Sequence, residues 1–117
     1  MKVVLRIIIA VMFVLFAAYK LIFFILPSVT VVNDSEVTIK QATVTLPSSN
    51  LDFGLIDREI ENTIHYSLEQ SDGVYRYQFD LLNGERVAGE CGYVTNNEVH
   101  KRVRIELHAD HRVRCTR

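Results

Sequence analysis

At 117 residues, 49% of them hydrophobic and two of them cysteines, the chain has material for one compact core and excludes a second. Its 13 Lys and Arg nearly balance 14 Asp and Glu, so the net charge of −1 is a poor guide to surface potential. Between residues 27 and 99 four basic residues (Lys40, Arg58, Arg76 and Arg86) face twelve acidic ones, whereas residues 100–117 carry Lys101, Arg102, Arg104, Arg112, Arg114 and Arg117 against Glu106 and Asp110, and the folded part is expected to be electrically bipolar.

From Ile7 to Leu26 every residue but Lys20 is apolar. Twenty residues at about 1.5 Å rise span roughly the 30 Å hydrocarbon core of a bilayer. Lys20 lies about 9 Å of helix from the outer end, close enough for its stem to carry the ammonium toward the headgroups. Lys2 and Arg6 precede the span and the first basic residue after it is Lys40, a bias that puts the N-terminus in the cytoplasm and the rest of the chain in the periplasm or outside. The alternative is a cleavable signal peptide, because Ile7 to Tyr19 has the length of an h-region and Ala17-Ala18 supplies small residues. Bulky Leu15 and Phe16 three positions before the possible cuts, and a second apolar block from Leu21 to Leu26, favour retention in the cytoplasmic membrane. Pro27 and Ser28 end the helix, so residues 1–28 read as a cytoplasmic stub and transmembrane anchor and residues 29–117 as an extracytoplasmic domain.

After Pro27 the pattern becomes alternating, as in strands with one face on a core. Val29 to Val32 opens the domain and Asn33-Asp34-Ser35 supplies a turn. Val37 and Ile39 keep one phase and Ala42, Val44 and Leu46 the other, so a bulge is expected near Lys40-Gln41. Pro47 to Asn50 reads as a loop, Leu51 to Leu55 as a short or edge strand, and Ile60 to Leu68 as a strand with Ile64, Tyr66 and Leu68 on one face. Ser71-Asp72-Gly73 turns the chain into the clearest stripe, Tyr75, Tyr77, Phe79 and Leu81, which predicts a central strand. Asn83-Gly84 predicts a two-residue type I′ hairpin, returning through Val87, Gly89, Cys91 and Tyr93 on one face. Asn96-Asn97 marks the next reversal, Val103, Ile105 and Leu107 alternate with charged residues, and after Ala109-Asp110-His111 the segment Arg112 to Cys115 closes the domain.

Seven or eight short strands with a turn signal every eight to twelve residues point to an all-β, antiparallel sandwich of immunoglobulin-like type, with a small open barrel as the alternative. The stretch from Val29 to Cys115, with Val-Val-Asn-Asp-Ser-Glu-Val leading into the first hairpin and Glu-Cys-Gly-Tyr late in the domain, resembles in pattern the small membrane-anchored β-sandwich modules of uncharacterised bacterial proteins. That resemblance carries no catalytic residue. The chain departs from antibody-type domains in having no Trp and in placing Tyr93 after Cys91.

Cys91 shares a face with Val87 and Tyr93, Cys115 shares one with Val113, and two cysteines in a translocated domain are expected to pair. Closing a loop of about 25 residues is worth on the order of 3 kcal/mol in the chain-entropy account. A redox-active pair would want Cys-X-X-Cys spacing, which is absent.

The common enzyme motifs are missing: no Gly-X-Ser-X-Gly elbow, no His-Glu-X-X-His, no phosphate loop. Asp52, Asp57, Glu59 and Glu61 are the densest acidic cluster and read as solvated loop. His108, Asp110 and His111, with His100 on a neighbouring strand, have the composition of a zinc site, although the same residues are ordinary in a tight turn. Lys101, Arg102, Arg104, Arg112 and Arg114 are candidates for binding anionic headgroups or an acidic protein, and Lys101, Arg102 and Arg104 alternatively guard an edge strand against aggregation. Nucleic acid is not an expected partner outside the cytoplasm, no cofactor is implied, and no enzyme is expected. The reading that follows is a membrane-tethered protein-interaction module, such as an envelope accessory or an inhibitor or immunity-type protein. The alternatives are a ligand, metal or headgroup sensor and a secreted domain after signal-peptide cleavage.

Overall fold

The structure, a computed structural model, describes residues 1–116; Arg117, counted above in the basic segment, lies outside the described residues. It has one helix, α1 (Lys2–Ile25), and eight strands: β1 (Ser28–Asp34), β2 (Ile39–Thr45), β3 (Asn50–Ile56), β4 (Glu61–His65), β5 (Gly73–Leu81), β6 (Arg86–Val94), β7 (Arg102–His108) and β8 (Val113–Thr116). The strands form two four-stranded sheets, ordered β4-β1-β7-β8 and β3-β2-β5-β6, packed face to face as a small sandwich.

None of the 24 residues of α1 is buried. By length and composition it is a helix able to cross a membrane, a test that a signal sequence near an N-terminus also passes. Lys20 does not reach toward Leu26. Its ammonium sits 5.6 Å from the centroid of the Phe16 ring, because helical side chains lean toward the N-terminal side of their own turn. The helix stops at Leu26 (φ −64°, ψ 134°), since Pro27 forces the residue before it into extended conformation.

Two residues separate α1 from β1, so β1 starts at the helix end and runs away from it. β1 pairs antiparallel with β4 and parallel with β7. The sandwich is therefore not purely antiparallel as expected. β6 finishes beside the helix end, the chain changes sheets there through residues 95–101, and β7 has to start where β1 starts.

Val29, Val31, Ile39, Ala42, Val44, Phe53, Ile56, Tyr75, Phe79, Leu81, Val94, Ile105 and Leu107 fill the space between the sheets. The expected bulge is present. The register of β2 slips between Ile39 and Gln41, which lets Ile39 and then Ala42 and Val44 all face inward. β5 lies inside its sheet, as its stripe predicts. Burying these side chains is worth about 1.5–3 kcal/mol for each large one relative to leaving it in water.

Two local expectations change. The β5–β6 connection is a three-residue loop, Leu82-Asn83-Gly84: the Gly84 N–H donates to the Leu81 carbonyl (3.0 Å), the Leu81 N–H donates to the Glu85 carbonyl (2.8 Å), and Gly84 alone in the loop has positive φ (91°). The Asn83 side chain instead accepts the Glu85 N–H (3.0 Å), which keeps Asn83 out of the left-handed region that a type I′ turn demands. Further along, β6 bulges at Gly92 (φ 67°), where a slip between the Tyr75–Cys91 and Gly73–Val94 pairs turns Val94 inward and leaves Tyr93 73% exposed. Tyr93 is thus not on the inner face with Cys91.

At the end remote from α1, Asn33 is the hub of the first turn. Its carboxamide donates to the carbonyls of Val37 (2.9 Å) and Ile56 (3.0 Å) and accepts from the backbone and hydroxyl of Ser35. A fully buried amide satisfied on every side specifies one arrangement of the β1–β2 turn against the end of β3.

Candidate functional site at the helix–sandwich junction

The last four carbonyls of an α-helix have no partner within the helix, and they carry the negative end of its dipole. α1 has no basic residue in its last turn. Its carbonyls are met instead by residues 100–102, more than 70 positions further on. The Arg102 guanidinium donates to the carbonyls of Leu26 (2.6 Å), Phe23 (3.2 Å) and Phe24 (3.2 Å). The His100 N–H donates to the Ile25 carbonyl (2.7 Å) and its Nδ1 to the Phe24 carbonyl (2.7 Å). Every carbonyl from Phe23 to Leu26 is thereby capped, and a cation sits at the helix C-terminus.

Aromatic contacts reinforce the cap. The Phe24 ring stacks on His100 at 4.1 Å and Phe23 meets His65 edge-on at 5.3 Å. Ser28 pairs with His65 on one side and Arg102 on the other, so both sheet neighbours of β1 reach back to the helix. The Pro27 carbonyl accepts the Tyr66 N–H (3.0 Å) and the Ser28 N–H donates to Lys101 (2.9 Å). His65 has its pKa lowered, first by burial and then by the positive charge of Arg102, which favours the neutral ring beside Phe23.

The five basic candidates do not share a face. Arg102 is the helix cap. Lys101, whose side chain is only 4% exposed, pairs with Glu98 at 2.7 Å, donates to the Tyr93 carbonyl and lies 5.1 Å over the Tyr75 ring. With Tyr75, Tyr93, Val103 and Cys115 it lines a cavity of about 200 Å³ between β6 and β8. Arg104 bridges Glu61 and Glu106, each at 3.0 Å. Arg114 pairs in register with Glu106, and Arg112 lies in the remote β7–β8 turn. Nor is β7 an edge strand that charges would need to guard: the edges are β4 and β8 in one sheet, β3 and β6 in the other.

The histidines are separated too. His108 Nδ1 faces Asp34 (3.1 Å) and its Nε2 faces Glu106 (3.2 Å), while His111 Nδ1 faces Glu85 (2.9 Å). Asp110 is exposed, and His100 is at the opposite end of β7. Among the described residues no three His, Cys, Asp or Glu side chains are grouped to hold a metal ion. The acidic cluster is likewise dispersed. Asp52 accepts from Gln41, Glu61 pairs with Arg104, and Asp57 accepts from the Thr38 hydroxyl and the Arg58 N–H, two bonds that lower its pKa.

Cys91 and Cys115 meet across the gap between β6 and β8, with sulfurs 2.17 Å apart and Cα atoms 6.3 Å apart, at disulfide distance. The bridge closes one open side of the sandwich. Sequence reasoning found this pair but missed His65 and the capping roles of His100 and Arg102. The partners of Arg102 are backbone carbonyls, which look alike in every sequence.

Together these features define a class: a small two-sheet β-sandwich fixed end-on to one apolar helix. No family model matches the chain, and no curated protein matches it. Among solved structures it is similar to the NMR structure of a protein from Eubacterium rectale, with a TM-score of 0.55 and 14% identity over 78% of this chain and 86% of that one. At that identity the likeness concerns the fold alone.

Proposed function

We propose that this protein is a non-enzymatic, membrane-tethered interaction module. In this reading α1 crosses the cytoplasmic membrane with its N-terminus inside, and the sandwich stands on the outer face, in the periplasm or outside, offering its remote end to a protein partner. The observation that carries the reading is the capping of Phe23 to Leu26 by His100 and Arg102. A signal peptide leaves its domain after export, whereas these helix residues are built into the base of the sandwich, which supports retention.

The molecule measures 64 × 31 × 19 Å. A 24-residue helix accounts for about 36 Å of that length and a strand of seven to nine residues for about 23–30 Å. Helix and strands are thus close to collinear, and an α1 upright in a bilayer holds the loops at residues 57–60 and 82–85, with exposed Ile60 and Leu82, farthest from the membrane. The immunoglobulin-like assignment belongs to this proposal. It is supported by the two four-stranded sheets, although the cysteine bridge joins edge strands rather than the sheet centres of antibody-type domains.

The test is fractionation of the full chain with a C-terminal tag, followed by crosslinking and pull-down from membranes. Full mass, resistance to carbonate extraction, protease access from the outer side, and a specific protein partner lost in Leu82→Asp are the expected results. A soluble product lacking about the first 20 residues would replace the module with a secreted domain.

A further inference from the structure

We infer that the base of the sandwich rests in the interfacial layer of the bilayer, with Val99 and Tyr93 as its contacts and phospholipid glycerol and upper acyl chains as the partner. The inference rests on the membrane reading of α1 and adds to it a surface of the folded domain.

Depth comes from the cap. The His100 N–H is bonded to the Ile25 carbonyl at 2.7 Å, so Val99, its chain neighbour, is held within a residue's length of the last turn of α1. The apolar run ends at Leu26, and a helix that fills the hydrocarbon core places that turn at the headgroup boundary. The clamp therefore sets the height of Val99 without a flexible linker.

Orientation comes from the backbone. Asn97 (φ 59°) and His100 (φ 57°) are both left-handed, a conformation uncommon outside glycine. The Val99 N–H bonds back to Asn97 (3.0 Å). The pair of reversals leaves Val99 59% exposed between a ring stacked on Phe24 and the pair of buried Lys101 with Glu98. Nearby, the Gly92 bulge turns Tyr93 outward and Lys101 Nζ holds the Tyr93 carbonyl. An exposed aliphatic side chain and a Tyr at one end of a domain suit the headgroup layer, where a ring has an apolar body and a polar tip to satisfy.

Charge does not drive the contact. Glu98 is neutralised by Lys101 and Arg102 is turned onto the helix carbonyls, while Glu69 and Asp72 on the adjoining loop are exposed. The base should therefore engage zwitterionic lipid without any anionic lipid.

The chain contains no Trp, so single-Trp variants of the full protein report position directly. Val99→Trp, Tyr93→Trp, Leu82→Trp and Phe13→Trp are reconstituted in phosphatidylcholine vesicles, with and without lipids brominated high on the acyl chain. Emission from positions 99 and 93 is expected to be blue-shifted relative to position 82, quenched by bromine and shielded from aqueous iodide. Positions 99 and 93 as open to iodide as position 82, with position 13 bromine-quenched, would overturn the inference and leave the anchor standing. An unquenched Phe13→Trp would overturn the anchor and this inference with it.

Discussion

The two ends of the sandwich use ionisable residues in opposite ways. At the helix end, His100, Lys101 and Arg102 turn inward, onto backbone carbonyls and a partly buried carboxylate. At the remote end and along the outer face of the first sheet, Asp34, His108, Glu106, Arg104 and Glu61 form a continuous chain of polar contacts with one another, and His111 reaches Glu85 from the other sheet. Opposite charges meet at about 3 Å at both ends, yet burial separates their worth, since solvent competes for exposed pairs and not for shielded ones.

The largest expected effect tests the shielded pair. Lys101→Ala leaves the partly buried Glu98 without its cation and should cost about 3 kcal/mol, the low end for a buried pair, in thermal or urea unfolding. Adding Glu98→Gln should recover part of that loss. If the single variant costs less than about 1 kcal/mol, the size of a surface pair, the contrast between the ends fails.

Next comes the helix cap. Arg102→Gln removes the cation at the α1 C-terminus and should cost about 1–2 kcal/mol. Its more specific sign is faster hydrogen exchange at the His100 and Ser28 amides, with the β5 amides unchanged.

His65 sharpens the comparison through pH. Its pKa is lowered from 6.5 by burial and by Arg102, so the unfolded chain takes up the proton before the folded one does. Stability from this group is fully present above about pH 6.5 and falls as the pH drops through that value toward the lower folded pKa. Unfolding midpoints measured from pH 7.5 down to 5.5 should fall, and His65→Gln should flatten the part of the slope that belongs to the base.

The smallest effect belongs to the remote end. The β7–β8 loop Ala109-Asp110-His111 repeats the hydrogen bonds of the β5–β6 loop, with His111 (φ 59°) where Gly84 stands. His111→Gly relieves the left-handed backbone and gives up an exposed pair with Glu85. The two terms nearly cancel, and the stability should change by no more than about 1 kcal/mol.

What the sequence made legible was local. The β5 stripe, the phase slip at Lys40-Gln41 and the inward cysteines each follow from a period of two, and each is in the structure. The parallel pairing of β1 with β7 was not legible, because it depends on where the chain changes sheets. The Gly92 bulge hid behind an unbroken alternation that seemed to continue through Tyr93. The separate surroundings of the basic residues were not legible either, since a run of charges in sequence says nothing of whether each side chain meets solvent, a carboxylate or the end of a helix.

The place of β1 also governs the order in which the fold can assemble. β1 sits between β4 and β7, and β7 begins at residue 102. A chain that emerges in sequence order therefore holds its first strand half-paired, with one edge open, until about seventy further residues have followed. Non-local pairing of this kind is slow to form and leaves an exposed strand edge in the interval. Cys115 lies beyond β7, so a bond from Cys91 to Cys115 closes only after that waiting edge has been filled.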